Sequence, residues 1–196
     1  MSKLLIVIGS TGPGRVGLPV AQWFAARAVA DGRFEVEIAD LAELDLPLFD
    51  EPGAPFMRQY TKEHALAWSA TVEAADAIVI VTAEYNYGYL APLKNALDYL
   101  FHEWRRKPLG FVSCGGMAAG TRAVQQLQQV VTALQMVPVP TAVHVPFVAS
   151  MLDDDACFVA NELIEQAAGT MLAELEALNE ELAPLRAAIH SAAEGV

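Results

Sequence analysis

The chain has few cysteines: among its 196 residues only Cys114 and Cys157 are cysteine. They are far apart without metal-ligand spacing, and one pair cannot supply the disulfide framework of a small secreted fold. We therefore expect a reduced, cytoplasmic protein that has no metal site. Ligand spacing is also missing among the four histidines, His64, His102, His144 and His190.

Positive charge is scarce as well. The sequence has 12 Lys and Arg against 24 Asp and Glu, a formal net charge of −12 at pH 7. A general nucleic-acid surface or an anionic-membrane surface needs clustered basic residues, so both kinds of partner are excluded. A phosphate group must then be held by local features of the chain.

Long apolar runs are missing too. No stretch of about 18 apolar residues occurs without a charge or a proline, which predicts that no helix crosses a membrane. The first apolar run is broken by Gly9 and Ser10 before the core of a signal peptide would be complete, so we interpret it as a first strand.

The composition is apolar, with 54% hydrophobic and 18% charged residues. This profile is typical of a globular protein, and the length predicts a single domain over residues 1–196. The surplus of apolar residues also points to a homo-oligomer, either a dimer or a tetramer.

Five short apolar runs bounded by turn residues predict five strands. They are LLIVI at 4–8, FEVEIA at 34–39, AIVIV at 77–81, LGFVS at 109–113 and VPTAVHV at 139–145. Runs without alternation suit strands that are buried on both faces of a parallel sheet. Helical patterns lie between them. The predicted fold is therefore α/β, a doubly wound, flavodoxin-like three-layer sandwich with a five-stranded parallel sheet in the order 2-1-3-4-5.

Two helices have informative patterns. After the fourth strand, an apolar face that includes Leu127 and Val131 lies opposite a run of outward-facing glutamines. The last helix is predicted to begin near Asp153, where the triplet DDD suits an N-cap and a first helical turn. A metal site at this triplet is disfavoured, because adjacent carboxylates on a helix start do not converge.

Three unusual loops follow strands 1, 3 and 4. They read GSTGPGRVG at 9–17, AEYNYGY at 83–89 and SCGGMAAG at 113–120. Ligands of open α/β sheets bind beyond the carboxyl ends of the strands, where the strand order reverses. One glycine-rich loop alone is a weak signal, but three such loops on one crevice predict a ligand site.

The first loop predicts a phosphate site, because it offers backbone N–H groups and hydroxyls at a helix N-terminus, with Arg15 nearby. It is not a nucleotide-hydrolysing P-loop, since Arg15 and Val16 stand where Lys and then Ser or Thr are needed. A dinucleotide site stays open, because Asp40 follows the second strand where a ribose-binding carboxylate would stand. A plain glycine turn is the remaining alternative.

The second loop predicts an aromatic surface. Tyr85 and Tyr87 offer ring faces and hydroxyls, and Gly88 permits a close approach of the backbone. In the third loop, Gly115 and Gly116 allow backbone N–H groups to reach a ligand. A phosphate site beside an aromatic surface fits a ligand with one phosphate and a flat polar ring system, which describes flavin mononucleotide (FMN).

The three segments GSTGPGRVG, AEYNYGYLAPLKNALDYL and SCGGMAAGTRAVQQLQQVVTALQMVPV together resemble the NADPH-dependent FMN reductases. This is a flavodoxin-like family with relatives that reduce quinones, azo dyes or chromate. The resemblance covers about residues 3–147 in the family's order and spacing. It implies an oxidoreductase that uses FMN with NADPH or NADH, and a small electron acceptor such as a flavin or a quinone. It also implies dimers that pack the helices after strands 3 and 4 near the flavin.

The resemblance also implies which residues bind FMN. In the phosphate site they are Ser10, Arg15, Val16 and Gly17. Along the isoalloxazine ring they are Glu84, Tyr85, Asn86 and Tyr87, and at its pyrimidine edge Ser113, Gly115 and Gly116.

The chain departs from the family at three positions. Many members have arginine at Gly12, proline at Ala83 and tyrosine at Cys114. A missing guanidinium at position 12 removes a charge-assisted contact to the phosphate. FMN is then expected to bind weakly, as a dissociable substrate, unless Arg15 compensates.

The implied mechanism is ping-pong: NADPH passes hydride to the flavin and leaves, and the acceptor then docks in the same place. Position and electrostatics come from the protein, so we expect no catalytic general base. Arg105, Arg106 and Lys107 could meet the NADPH phosphates, although a solvated helix end is the simpler interpretation. Cys114 could be redox-active or simply a small buried residue.

A function of another class is a flavodoxin-like electron carrier or flavin-binding module with a protein redox partner. The acidic composition would fit docking to a basic partner. The segment EYNYG with the Pro-Leu-Lys-Asn helix start favours the reductase family over the carriers.

Overall fold

Six strands form one parallel sheet in this computed structural model, which describes residues 1–194 and the side chains as far as residue 189. Residues 195 and 196 of the predicted domain, and the side chain of His190, lie outside the described part. The strands are β1 (Ser2–Ile8), β2 (Phe34–Asp40), β3 (Ala77–Ala83), β4 (Pro108–Cys114), β5 (Val137–Pro138) and β6 (Val143–Val145). Their order is β2-β1-β3-β4-β5, and β6 also pairs with β4. The predicted fold class and strand order are confirmed.

The central strands are buried on both faces. Every residue of β3 and β4, and residues 4–8 of β1, are buried, which explains their apolar runs without alternation. The edge strand β2 differs, because Glu35 and Ile38 are exposed. Parallel pairing throughout places the carboxyl ends of these strands at one edge of the sheet.

Helices cover both faces of the sheet. They are α1 (Gly17–Asp31), α2 (Leu41–Leu44), α3 (Glu63–Ala74), α4 (Ala91–Asp98), α5 (Thr121–Ala133) and α6 (Glu162–Glu194). Helices α1 and α6 pack together, where Trp23 Nε1 donates to Glu165 Oε1 at 2.7 Å. A Cβ on Gly110 would lie 2.7 Å from Met171 Sδ, so the missing side chain at this position leaves room for Met171 of α6 against β4. None of the described helices is long and apolar enough to cross a membrane.

The fifth strand was predicted as one run over residues 139–145, and that prediction is wrong. Two short strands, β5 and β6, share its place beside β4. Pro140 has no backbone N–H. The N–H and hydroxyl of Thr141 donate to the Glu174 carboxylate, at 2.9 and 2.8 Å, instead of continuing the ladder. The sheet is interrupted there for a local, chemical reason.

The last helix begins later than predicted. The carboxylate of Asp153 accepts hydrogen bonds from the N–H groups of Asp155 and Cys157, at 3.0 and 2.8 Å, and so closes a turn. Helix α6 starts at Glu162 after Asn161, whose side chain accepts from the N–H three residues on at 3.0 Å. The aspartate triplet therefore caps a turn and not a helix.

Candidate functional site

A cavity of about 480 Å³ lies at the carboxyl edge of the sheet and brings all three predicted loops together. Each loop contributes to its wall, and so does the segment after β6. The lining residues are Val16, Ala83, Glu84, Tyr85, Cys114, Gly115, Gly116, Phe147, Val148, Ala149 and Ser150. The wall is mostly apolar, which suits a flat ring system.

The first loop has the features of an anion site. Ser10 is only 3% exposed, and its Oγ is a buried hydroxyl without a hydrogen-bond partner among the described residues. A Cβ on Gly17 would lie 2.7 Å from this oxygen, so glycine keeps the space beside the hydroxyl open. Val16 stands at the N-cap of α1 and offers no side-chain hydrogen bond to the first turn. Free helix N–H groups and an unpartnered hydroxyl fit a phosphate.

Arg15 reaches across this loop to the end of β2. Its guanidinium donates to the Ser10 carbonyl and to both carboxylate oxygens of Asp40. The hydrogen bond with Asp40 raises the pKa of Arg15. Burial alone would raise the pKa of Asp40, but hydrogen bonds from Arg15 and from the Ala42 N–H bring it below its usual value. Two opposite charges therefore form one closed pair beside the loop.

This pair bears on two of the interpretations made from sequence. Both Asp40 oxygens are engaged, so the structure does not favour a ribose-binding carboxylate at this position. The guanidinium of Arg15 lies at the predicted phosphate loop but is already committed to Asp40. Around Gly12, the position where many relatives have arginine, a Cβ would meet nothing within 4 Å.

The second loop is a two-residue hairpin turn. Tyr85 and Gly88 exchange backbone hydrogen bonds of 3.1 and 2.9 Å, and the two residues between them, Asn86 and Tyr87, have φ of 51° and 71°. Positive φ at both central positions defines a type I′ turn. Tyrosine rarely adopts this conformation, and such strain tends to occur at functional sites. The turn holds the Tyr85 and Tyr87 rings 57% and 67% exposed, so neither is a core residue.

Helix α5 holds this turn from one side. Glu84 is paired with Arg122 in the first turn of α5, and Gln126 Nε2 donates to the Tyr87 carbonyl at 2.8 Å. Of the four predicted ring residues, Glu84 and Tyr85 line the cavity, while Asn86 and Tyr87 form the tip of the turn beside it.

In the third loop, Gly115 and Gly116 line the cavity as predicted for a backbone-rich wall. The Ser113 side chain is fully buried and makes its contacts within the protein. Its hydroxyl donates to the Ala119 carbonyl at 2.7 Å and lies 2.7 Å from His144 Nδ1. Ser113 thus supports the loop from within, and it is not among the residues that line the cavity.

A fourth segment, residues 147–150, was missed from the sequence. Phe147 lies at the cavity with φ of 47° and with 57% of its surface exposed. The N–H groups of Phe147 and Val148 donate to the carbonyls of Gly116 and Gly115, each at 3.1 Å, and so join the segment to the third loop. The signal was available: the segment follows the last strand, whose carboxyl end lies at the same edge of the sheet.

Cys114 lines the cavity but is not a reactive thiolate. It is fully buried, and this burial raises the pKa of its thiol to about 11. The thiol therefore stays protonated at neutral pH, which favours the interpretation as a small buried residue.

The basic cluster Arg105–Lys107 lies at the wrong end of the sheet to meet a ligand in the cavity. It precedes β4, whereas the cavity begins where β4 ends. Lys107 is 4% exposed and donates to the carbonyls of Val72 and Glu73 at the end of α3. Burial lowers the pKa of Lys107 to about 8. The cluster therefore does not line the cavity, which disfavours a role in NADPH binding, and Lys107 caps a helix C-terminus.

Fold and site together define a flavodoxin-like α/β protein with an uncapped helix start at its first loop and an aromatic-rimmed cavity at the carboxyl edge of its sheet. The sequence matches the model of the NADPH-dependent FMN reductase family over residues 2–150. The chain belongs to this family. The predicted oxidoreductase class and the predicted cofactors, FMN with NADPH or NADH, are thereby confirmed.

Curated relatives agree with this assignment. The chain is 43% identical over 141 residues to an NAD(P)H-dependent FMN reductase of Schizosaccharomyces pombe, which covers 71% of this chain and 70% of the relative. It is 33% identical over 155 residues to an NAD(P)H-dependent FMN reductase of Nectria sp., with coverage of 76% and 77%. An FMN-dependent NADPH-azoreductase of Staphylococcus saprophyticus is 29% identical over 162 residues, with coverage of 82% and 86%.

Solved structures share the fold. A flavoenzyme NAD(P)H:(acceptor) oxidoreductase from Paracoccus denitrificans superposes with a TM-score of 0.73 at 19% identity, over 93% of this chain and 99% of that one. A flavodoxin from Streptococcus pneumoniae superposes with a TM-score of 0.57 at 15% identity, over 90% and 99%. Identities this low show the fold alone.

Proposed function

We propose that the protein takes hydride from NADPH or NADH onto FMN and delivers it to a small acceptor, such as a flavin or a quinone, by a ping-pong mechanism. The observation that supports this most directly is the cavity, which lies between an open anion site and an exposed aromatic turn. FMN, when bound, supplies the hydride-accepting ring. The chain supplies the position of that ring, its surroundings and its exposed face.

The phosphate site consists of Ser10, Val16 and Gly17, with Arg15 beside it. The buried Ser10 hydroxyl and the uncapped start of α1 are the donors that a phosphate would satisfy. Because Arg15 is paired with Asp40, its positive charge contributes little to the binding of a phosphate. FMN is therefore held mainly by neutral donors and exchanges as a dissociable ligand.

The ring site consists of Glu84, Tyr85, Asn86 and Tyr87 on one side and the third loop on the other. Gly115 and Gly116 let the backbone approach the pyrimidine edge, and Ser113 supports this loop from within, because its hydroxyl donates to the Ala119 carbonyl. Of the residues that line the cavity, Glu84 is the only one with an ionisable carboxylate, and it is paired with Arg122. Hydride transfer needs no proton from a side chain here, which agrees with a site without a general base.

Donor and acceptor use the same cavity in turn, because each must face the same ring. Initial rates measured at several fixed acceptor concentrations then give parallel double-reciprocal lines, with mutual competition at excess. Intersecting lines would contradict the mechanism. Oxidation of NADPH without a protein partner supports the enzyme, whereas bound flavin that NADPH cannot reduce supports the electron carrier.

We also propose that residues 1–196 act as one FMN-binding domain in a homo-oligomer, a dimer or a tetramer. An apolar groove of about 570 Å³ supports association: it is lined by Phe49, Phe56 and Leu134 among others, near the ends of α4 and α5. Phe56 is 63% exposed in the single chain. Light scattering of the wild type and of Phe56→Asp tests this, since the charge should dissociate the oligomer. The cytoplasmic location stays a prediction.

A further inference from the structure

Glu84 is a nearly buried carboxylate in the wall of the flavin cavity. It directly follows β3, and its side chain is 11% exposed. Its Oε2 accepts from the backbone N–H of Arg122 at 3.2 Å. Helix α5 has no side-chain cap of its own and no acidic residue in its first turn, so Glu84 supplies the missing anion from another segment.

Arg122 holds the same turn at two further points. Its Nη1 lies 2.9 Å from Glu84 Oε1, and its guanidinium carbon lies 3.9 Å from the centroid of the Tyr87 ring. One side chain thus pairs with the acid at the start of the turn and stacks on the aromatic residue at its tip. The Arg122 side chain is 38% exposed, so it closes the turn from the solvent side.

The charge of Glu84 matters because the flavin ring gains electrons on reduction. An unpaired carboxylate in the cavity wall would disfavour this gain, since charges interact strongly where water is excluded. The Arg122 guanidinium lies 2.9 Å from the Glu84 carboxylate and neutralises its charge. It also holds the strained turn at Tyr87 in place. The N-terminus of α5 alone would offset only part of the Glu84 charge.

We propose that Arg122 is a positioning residue that neutralises Glu84 at the ring site, and thereby sets both the affinity for the flavin ring and its reduction potential. This inference rests on the proposed function, because it concerns the ring that the cavity holds. Arg122 acts through Glu84 and Tyr87 and not through a contact with the phosphate.

The test compares wild type with Arg122→Gln, Glu84→Gln and the double variant, all as full-length chains. Dissociation constants for FMN and for riboflavin come from quenching of flavin fluorescence, and the midpoint potential is measured at saturating FMN. Arg27→Gln is the matched control, because Arg27 also pairs with carboxylates but lies on α1, away from the cavity lining. It should leave both quantities unchanged.

Arg122→Gln should weaken FMN and riboflavin equally, by about tenfold or more, and make the midpoint potential more negative. The double variant should recover most of both losses, because the unpaired charge is gone. An Arg122→Gln protein with wild-type affinity and potential would overturn the proposal. A double variant as impaired as Arg122→Gln would overturn it too, as would a loss confined to FMN.

A further comparison remains decisive if Arg122→Gln fails to fold. With glutamine at position 84 the Arg122 charge is unpaired and favours the reduced ring, so Glu84→Gln should have a more positive midpoint potential than wild type, and the double variant should return to about the wild-type value. Equal midpoint potentials in Glu84→Gln and the double variant would contradict the proposal. A wild-type protein that binds no flavin would instead refute the proposed function itself.

Discussion

Arg15 and Asp40 form a two-point ion pair that ties the first glycine-rich loop to the carboxyl end of β2. Their side chains are 12% and 7% exposed, so the pair is largely removed from water. The Arg15 guanidinium, which was predicted from sequence to lie near a phosphate, is instead paired with the Asp40 carboxylate. The pair therefore links the first loop to the edge strand of the sheet through two opposite charges.

Asp40→Asn should destabilise the protein by about 2 to 3 kcal/mol, because it leaves a largely buried guanidinium without an anionic partner. Urea unfolding measures this change. Glu37→Gln is the matched control on the same strand: Glu37 pairs with Lys3, but both side chains are about a third exposed, at 38% and 30%. The control should change stability by less than about 0.5 kcal/mol. Equal losses in both variants would contradict this account of the pair.

The contribution of Asp40 should depend on pH with a definite sign. Because its folded-state pKa lies below the reference value of 3.8, the unfolded chain takes up the proton first. The contribution is fully present above that reference value and is lost as the pH falls below it. The stability gap between wild type and Asp40→Asn should therefore be smaller at about pH 3 than at about pH 6, with the narrowing below about pH 4. A gap that stays constant over this range in urea titrations would count against the assignment.

Gly12→Arg should tighten FMN binding. A Cβ at this position meets nothing within 4 Å, and the residue does not have the left-handed φ that disfavours side chains. A charge-assisted hydrogen bond to the phosphate is worth about 1.5 to 3 kcal/mol, or about 10- to 100-fold in the dissociation constant. Fluorescence titration with FMN and riboflavin should show a gain for FMN alone. Gly53→Arg, a cation on a loop that does not line the cavity, should show none. Equal gains in both variants would point to net charge instead.

The two cysteines should differ sharply in reactivity. Cys157 is exposed, whereas Cys114 is fully buried and the pKa of its thiol is raised to about 11. At about pH 8, a thiol-specific disulfide reagent should modify Cys157 rapidly and Cys114 only after unfolding. Cys157→Ser should abolish the rapid phase. A rapid phase that survives in that variant would show an accessible thiolate in the flavin cavity.

Gly120→Ala should unfold the third loop locally or destabilise the whole protein by about 2 kcal/mol. Gly120 has φ of 77°, and an added Cβ would lie 3.0 Å from both the Cys114 carbonyl and the Ser113 Cβ. Gly116→Ala in the same loop meets nothing within 4 Å and should leave stability unchanged. Thermal unfolding of the two variants, measured side by side, distinguishes backbone strain from a general intolerance of the loop. Similar losses in both would contradict this explanation.

The sheet and the three loops could be predicted from sequence because each depends on a short, contiguous pattern. The runs of β1, β3 and β4 are apolar throughout because both faces are covered, and glycines mark where the chain turns at the carboxyl edge. The break between β5 and β6 was not predictable in the same way. The N–H and hydroxyl of Thr141 donate to the carboxylate of Glu174 on α6, and no local sequence pattern predicts this partner.

The loops of the candidate site could be predicted from sequence, but its ion pairs could not. Tyr85 and Gly116 line the cavity as their loops suggested, whereas the partners of Arg15 and Glu84 depend on which strand and which helix lie alongside. The Ser113 hydroxyl donates to the Ala119 carbonyl and does not line the cavity. Sequence pattern places a residue on an edge of the sheet, but tertiary packing decides what its side chain contacts.

The central claim is that this cavity holds FMN and presents it to a nicotinamide nucleotide. The most direct test is the visible absorption spectrum of the protein with saturating FMN, recorded anaerobically before and after addition of NADPH. We expect a protein-perturbed flavin spectrum that NADPH bleaches at a rate far above that of free FMN. A spectrum identical to that of free FMN, or a bound flavin that NADPH leaves oxidised, would contradict the account.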